Sequence, residues 1–404
     1  MLRSVDTFLS KASRNMKKSA IREILKLLQR PGMISFAGGL PSHDSFPVED
    51  LKTVVDEVLE KESDIALQYG TTEGDPLLRQ VLSERHRKNG LNAGPENIII
   101  VTGSQQGLDL LSKIFIDPDD YIICGLPSYL GGLNAFQTYG ARLRGVPLDE
   151  NGMKPDELEK AVVRLKDLGR KIKFIYVIPD FQNPTGITMP EARREKIIEI
   201  AEKYNLLVIE DSPYREIRFE GEHQKMLKQI DLYGRVISLC SFSKILSPGL
   251  RIGWIIGETP ILDKIVTAKQ TADLCTSPFI QRIVARYIEK GFLDKNIPRT
   301  IELYRNRRDF MLECFSKYMP GGVTWTKPQG GLFLFVTLPR GLDTGEILRK
   351  AIENNVAFVE GSTFFCNDSG HNTMRINFSY SSLSETETGV KRLADVLKEQ
   401  IRKS

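Results

Sequence analysis

No apolar run in these 404 residues approaches the roughly 18–20 needed to span a bilayer. The N-terminal Met1-Leu2-Arg3-Ser4-Val5-Asp6 has no apolar stretch behind its charge, so no secretory signal is expected. Cys124, Cys240, Cys275, Cys314 and Cys366 are widely scattered without a CxxC pair, and only four histidines are present. This argues against a disulfide framework, a zinc site or a His-based metal centre, and for the cytoplasm. Lys and Arg number 56 against 52 Asp and Glu, a net charge of +4 with both signs interspersed. That is too mild, and too free of basic blocks, to suggest nucleic acid. The GxGxxG and GxxxxGK[ST] signatures are both missing, which removes the common nicotinamide and P-loop readings. Gly 32 and Pro 20 are near average usage. The remainder, 41% hydrophobic and 27% charged, is an ordinary globular chain long enough for two to three domains.

From about residue 95 to 257, short β-branched runs alternate with helical patterns. Runs at 97–102, 121–124, 173–179, 206–210, 236–240 and 252–256 lack strict alternation, which suits strands covered on both faces. Helices are expected at 104–115, 156–166 and 190–204, giving a largely parallel α/β sheet. Asp75 and Pro76 open a helix that Gly90 closes. After a helical stretch near 260–318 come strands at 323–326 and 332–337 and a helix near 344–354. Strands at 356–359 and 373–379 and a helix at 384–402 complete a smaller α+β domain. The expected division is an arm with a short helix over 1–40, a large domain over 41–290 and a small domain over 291–404, which packs with the N-terminal segment.

Four segments carry chemistry. Ser241-Phe242-Ser243-Lys244 ends a buried strand, and a lysine held there loses its proton more readily, leaving an amine able to condense with an aldehyde. The two serines, with Arg251, suit a phosphate, although an edge lysine and a surface arginine explain the pattern equally well. Asp211 closes Val208-Ile209-Glu210, at the carboxyl end where open α/β sheets place ligands. Its carboxylate suits a protonated heterocyclic nitrogen, or simply a helix cap. Asn183-Pro184-Thr185-Gly186 reads as a turn whose amide can donate to an anionic oxygen. Thr102-Gly103-Ser104-Gln105 is a strand, a glycine turn and a helix start, whose free N–H groups favour an anion.

Taken together, Gly103-Ser104-Gln105, Asn183-Pro184-Thr185-Gly186, Asp211-x-x-Tyr214 and Ser241-x-Ser243-Lys244 with Arg251 occur in the order of one family. From about Gly38 to the C-terminus, the chain resembles the class I aminotransferases, fold-type I pyridoxal 5'-phosphate enzymes. The resemblance implies that Lys244 bonds to the cofactor aldehyde and then moves the substrate proton. Asp211 pairs with the ring nitrogen, and Asn183 and Tyr214 hydrogen-bond the ring oxygen. Ser104, Gln105, Ser241, Ser243 and Arg251 hold the phosphate, and Tyr129 stacks on the ring. Arg375, in Met374-Arg375-Ile376-Asn377, matches the arginine that grips the substrate α-carboxylate. Tyr69 matches the tyrosine that reaches the partner subunit's phosphate, implying a homodimer with a shared active site.

Residues 19–28 have apolar positions at 21, 24, 25 and 28, an amphipathic pattern, and lead into Phe36-Ala37-Gly38-Gly39-Leu40-Pro41. This arrangement is similar to the 2-aminoadipate aminotransferases and their broad-specificity relatives. There the helix is a mobile lid, residues matching Ser19 and Arg22 contact substrate, and Gly39 matches a backbone contact to its carboxylate. The polar neighbours of Arg22 also suit a solvated face. The expectation is an enzyme that moves the amino group of 2-aminoadipate, glutamate, leucine or an aromatic amino acid to 2-oxoglutarate. An aromatic or kynurenine aminotransferase, or a β-lyase on the same fold, is the alternative. A regulator with a winged-helix module is remote, because only about 38 residues precede Gly39.

Overall fold

The computed structural model describes residues 5–16 and 32–403. In chain order its strands are β1 (Ile34–Ser35), β2 (Ile98–Val101), β3 (Tyr121–Leu126), β4 (Arg142–Asp149), β5 (Gly152–Met153), β6 (Ile172–Val177), β7 (Leu207–Asp211), β8 (Val236–Ser241) and β9 (Gly253–Ile256). They continue with β10 (Thr324–Trp325), β11 (Phe333–Thr337), β12 (Val356–Ala357), β13 (Val359–Glu360) and β14 (Thr373–Asn377).

The large sheet has the order β2-β9-β8-β7-β6-β3-β4-β5. Its centre, from β8 through β4, is parallel, while β9 runs antiparallel to both β8 and β2. Side chains alternate between the two faces along each strand. Ile122, Cys124, Phe174, Tyr176, Ile209 and Leu239 pack with Leu108 and Leu111 of the helix Ser104–Phe115. Their neighbours Ile123, Ile175, Val177, Val208 and Val236 pack with Leu158, Val162 and Ile197 from the helices Pro155–Asp167 and Glu191–Tyr204. Both faces are therefore apolar, which explains the unbroken hydrophobic runs in the sequence. Fully burying each such side chain contributes about 1.5–3 kcal/mol.

The smaller sheet, β10-β11-β14-β13, is antiparallel with β14 inside it. β1 pairs in parallel with β12, and backbone bonds continue that seam. Phe36 N donates to Ala357 O and Asn377 N to Phe36 O, each at 2.8 Å. The segment after β1 is thus laid along the C-terminal sheet, where it meets the loops of the large one. The expected 356–359 strand is split into β12 and β13, and the 260–318 stretch is three helices, Thr259–Gln270, Pro278–Glu289 and Phe292–Tyr318. The short helix expected over 19–28, with Ser19 and Arg22, lies outside the described residues. Among the described residues no helix is long and apolar enough to cross a membrane.

Candidate active site

The carboxyl ends of β6, β7 and β8 open toward the helix Ser104–Phe115 and the Arg375 strand, enclosing a cavity of about 260 Å³. Gly39, Ser104, Gln105, Tyr129, Asn183, Asp211, Tyr214, Ser241, Ser243, Lys244, Arg251 and Arg375 all line it. The structure therefore brings twelve of the fifteen sequence candidates to one place. Tyr69 is 79% exposed and does not line this cavity, while Ser19 and Arg22 lie outside the described residues.

Lys244 follows β8 by three residues, and its Nζ donates to Gly39 O at 2.8 Å. Burial, with Arg375 and Arg251 adding repulsion, pushes the ammonium pKa down to about 8. A substantial fraction is then neutral amine in mildly alkaline solution, the form that attacks a carbonyl. Asp211 ends β7 and is buried. Tyr176 donates its hydroxyl to Asp211 Oδ2 at 2.7 Å, while Oδ1 is buried with no partner. Burial pushes this carboxyl pKa up to about 6 against the opposing hydrogen bond from Tyr176.

Arg375 comes from the inside strand of the small sheet and is buried. Its Nη1 donates to Asn183 Oδ1 at 2.9 Å and its Nη2 to Ala37 O at 2.7 Å, while Nε is buried without a partner. The guanidinium lies 4.2 Å from the centre of the Phe333 ring and 5.1 Å from that of Phe364. Phe333 faces it diagonally across the β11–β14 register, which puts both on one face of the sheet. Burial lowers the guanidinium pKa to about 10. Asn183 Nδ2 reaches the Tyr214 hydroxyl at 3.5 Å, and burial raises the pKa of that phenol.

At the other end of the cavity, the helix Ser104–Phe115 begins after Gly103 with no side chain capping it. Gly103 has φ +76°, and a Cβ there would lie 2.5 Å from Arg251 Nη2. Arg251 itself has φ +55° and is fixed by bonds from Nη1 to Pro248 O and Nη2 to Thr102 O, each 3.2 Å. The Ser241 hydroxyl donates to Ser243 Oγ at 2.9 Å and accepts from Ser243 N. Gln105 Oε1 accepts from the Tyr129 hydroxyl at 3.2 Å. Uncapped helix N–H groups, paired hydroxyls and a guanidinium make a cradle for a dianion.

These features fit a flat phosphorylated heterocycle carrying an aldehyde. The unpartnered buried Oδ1 of Asp211 wants a donor, the uncapped helix start wants an anion, and the Lys244 amine wants a carbonyl. Tyr176 and Phe333 were not among the residues that sequence reading selects. Tyr176 is the one hydroxyl in the Lys173-Phe174-Ile175-Tyr176-Val177 run, and a phenol on a doubly covered strand needs a partner. That need was a usable signal for Tyr176; for Phe333 there was none beyond its apolarity.

Comparison with known proteins agrees with this geometry. The family model for aminotransferase class I and II matches residues 31–393. The aromatic-amino-acid aminotransferase 1 of Thermococcus litoralis is 46% identical over 399 residues, covering 98% of this chain and 96% of its own. The Pyrococcus horikoshii kynurenine aminotransferase, solved with PMP, KYN and KYA, superposes with a TM-score of 0.96 at 44% identity, covering 99% of each chain. The alpha-aminoadipate aminotransferase of Thermus thermophilus, complexed with N-(5'-phosphopyridoxyl)-L-leucine, gives 0.92 at 36% identity, covering 99% of this chain and all of that one. With the match running nearly end to end and the cavity built as described, this chain belongs to the class I and II aminotransferases, fold-type I enzymes that use pyridoxal phosphate.

Proposed function

We propose that this aminotransferase takes the amino group of aromatic and other large L-amino acids, as well as 2-aminoadipate and glutamate, and delivers it to 2-oxoglutarate. The observation that carries the reading is that Lys244, the unpartnered oxygen of Asp211 and Arg375 face one cavity. Bound pyridoxal phosphate supplies an aldehyde for the amine nitrogen and a ring that takes up the electron pair left at Cα. Lys244 would hold the cofactor through its Nζ and would carry the substrate's Cα proton. Asp211 would keep the ring nitrogen protonated. Asn183 and Tyr214 would hydrogen-bond the ring oxygen, and Tyr129 would cover the ring face.

Ser104, Gln105, Ser241, Ser243 and Arg251 hold the phosphate. Gly103→Ala puts a methyl against Arg251 at a backbone angle that alanine resists. It is expected to weaken pyridoxal phosphate binding by about tenfold or more, the ~1.4 kcal/mol that one displaced charged contact is worth. Equilibrium dialysis with a melting control measures it, and unchanged affinity would remove Arg251 from the phosphate.

Arg375 grips the α-carboxylate, and Gly39 forms the adjoining backbone wall. Among the described residues lining the cavity, the cations are Lys244, Arg251 and Arg375. With those three assigned, the side-chain end is left to Phe333 and Ile178, a lining suited to a flat apolar group. The relatives of 44–46% identity named for aromatic and kynurenine substrates support the same preference.

Acidic substrates need another cation, and Arg22, three residues after Ser19, is the sequence candidate. Arg22→Ala is expected to lower kcat/KM for 2-aminoadipate and 2-oxoglutarate by roughly 10–100-fold, and for phenylalanine by less than about threefold. An equal loss on both classes would remove Arg22 from substrate selection. Titrating the visible spectrum with single amino acids ranks the donors. Bleaching that 2-oxoglutarate restores is transamination, whereas release of keto acid and ammonia without an acceptor would make the enzyme a lyase. We also propose a cytoplasmic homodimer in which the exposed Tyr69 serves the second copy's phosphate. The division 1–40, 41–290 and 291–404 is proposed as its domain plan.

A further inference from the structure

The scattered cysteines of the sequence do not stay scattered in the fold. Cys124 lies on β3, fully buried, and faces Gly145 of β4 across the parallel ladder. Gly145 has no side chain to fill the space in front of Cys124, and a Cβ built there would lie 2.9 Å from Cys366 Sγ. Cys366, half-buried on the loop that precedes β14, packs into the same apolar cluster as Cys124. Cys366 Sγ therefore sits over Gly145, directly beside the residue paired with it on the ladder, Cys124. Both cysteines are free thiols.

We propose that Cys124 and Cys366 form a reversible dithiol–disulfide site that, when oxidised, clamps the Arg375 side of the active-site cavity to the Tyr129 side. Cys366 is the thiol that reagents reach, and Cys124 is the buried thiol that resolves. The neighbouring Cys124 thiol favours the Cys366 thiolate and lowers its pKa, while the same proximity and burial raise that of Cys124. An accessible, favoured thiolate beside a resolving thiol is the arrangement that exchange chemistry requires.

The co-reactant is a small-molecule disulfide. The Cys366 thiolate attacks one of its sulfurs, breaks its S–S bond and releases one thiol. Cys124 then loses its proton, attacks Cys366 Sγ and displaces the second thiol. The protein gives up two electrons and two protons and gains one S–S bond, and the reagent is reduced to two thiols.

The position of the pair gives the bond its consequence. Two residues before Cys366, Phe364 O accepts from Ser128 N at 2.8 Å, and its ring lies 5.1 Å from the Arg375 guanidinium. Ser128 adjoins Tyr129. A disulfide here adds a covalent link beside the backbone bond from Ser128 to Phe364 that joins the two walls. It closes a loop of more than 200 residues, where cross-links constrain the unfolded chain most in the entropic account. It also restrains any parting of the walls during product release. This consequence for turnover rests on the proposed roles of Arg375 and Tyr129; formation of the bond does not.

The test equilibrates the full-length holoenzyme in graded mixtures of reduced and oxidised glutathione. The expected result is one internal cross-link between the peptides carrying Cys124 and Cys366, with a mass loss of two hydrogens. Melting should rise by about 5 °C or more, and kcat should fall several-fold. Reductant reverses all three, and neither Cys366→Ser nor Cys124→Ala shows them. A glutathione adduct left on Cys366 with no internal bond would overturn the site. A cross-link that forms with melting and kcat unchanged would overturn the clamp. Because the cross-link and melting are read without turnover, an error in the aminotransferase roles would leave them intact and alter only the kinetics.

Discussion

Lys244→Ala is expected to leave a folded protein that binds pyridoxal phosphate without the covalent link and turns over at least ~10⁴-fold more slowly, as removal of a covalent and proton-moving group does. The geometry makes this lysine hard to replace. Its amine ends inside the cavity on the Gly39 carbonyl, and burial next to Arg375 and Arg251 brings its pKa down to about 8 from 10.5. No other lysine lines the cavity among the described residues. Wild-type protein reduced with borohydride should carry the cofactor at Lys244 alone, and the variant should carry none. Label on a different lysine in the reduced variant would remove the assignment.

The same shift has a consequence for stability in the cofactor-free protein. The folded state gives up the lysine proton near pH 8, the unfolded state near 10.5, so the folded state is penalised at neutral pH. The penalty fades as pH rises through that window. The melting difference between Lys244→Ala and wild type should therefore move in favour of wild type between pH 8 and 10.5. A difference flat across that range would mean that the amine is solvated rather than buried.

What the sequence discloses and what it hides divide along physical lines. Strands β2, β6, β7 and β8 were legible because helices cover both of their faces, which forces continuous apolar runs. β4 was not, because Arg142 and Arg144 place exposed charges along it and Gly145 and Pro147 interrupt its pattern. The site residues that were legible sit just past strand ends, where Gly, Asn-Pro and Ser punctuate the chain. Those that were missed owe their place to long-range packing. Phe333 reaches Arg375 through a sheet register, and Tyr176 reaches Asp211 across neighbouring parallel strands. Cys124 and Cys366 meet only because Gly145 leaves room, and spacing along the chain argued against any such pair.

Asp211→Asn should move activity and apoprotein stability in opposite directions. With cofactor bound, the variant loses the fixed anion that holds the ring nitrogen protonated, and kcat is expected to fall by roughly 10²–10⁴-fold, the range seen when preorganised electrostatic support is removed. Without cofactor, the wild-type carboxylate is buried with Oδ1 unpartnered, and only the Tyr176 hydroxyl supports its charge. Its pKa near 6 in the folded state, against 3.8 for the free group, means that the folded form binds a proton that the unfolded form has already lost. Stability from this group is therefore fully present below about pH 4 and is lost as pH rises through 6, a penalty of up to roughly 3 kcal/mol. The asparagine carries no charge and can still accept from Tyr176. The cofactor-free variant should thus melt above wild type at pH 8, and the two should converge below pH 4. Tyr176→Phe works in the other direction by removing the opposing hydrogen bond, and should lower apoprotein melting further at pH 8. If cofactor-free Asp211→Asn melted below wild type at pH 8, the carboxylate would have a partner after all. If the holoenzyme variant kept its kcat, the anion would have no part in the chemistry. An ionisable group that costs the empty protein stability and sustains the loaded one marks a cavity shaped around a cationic ring.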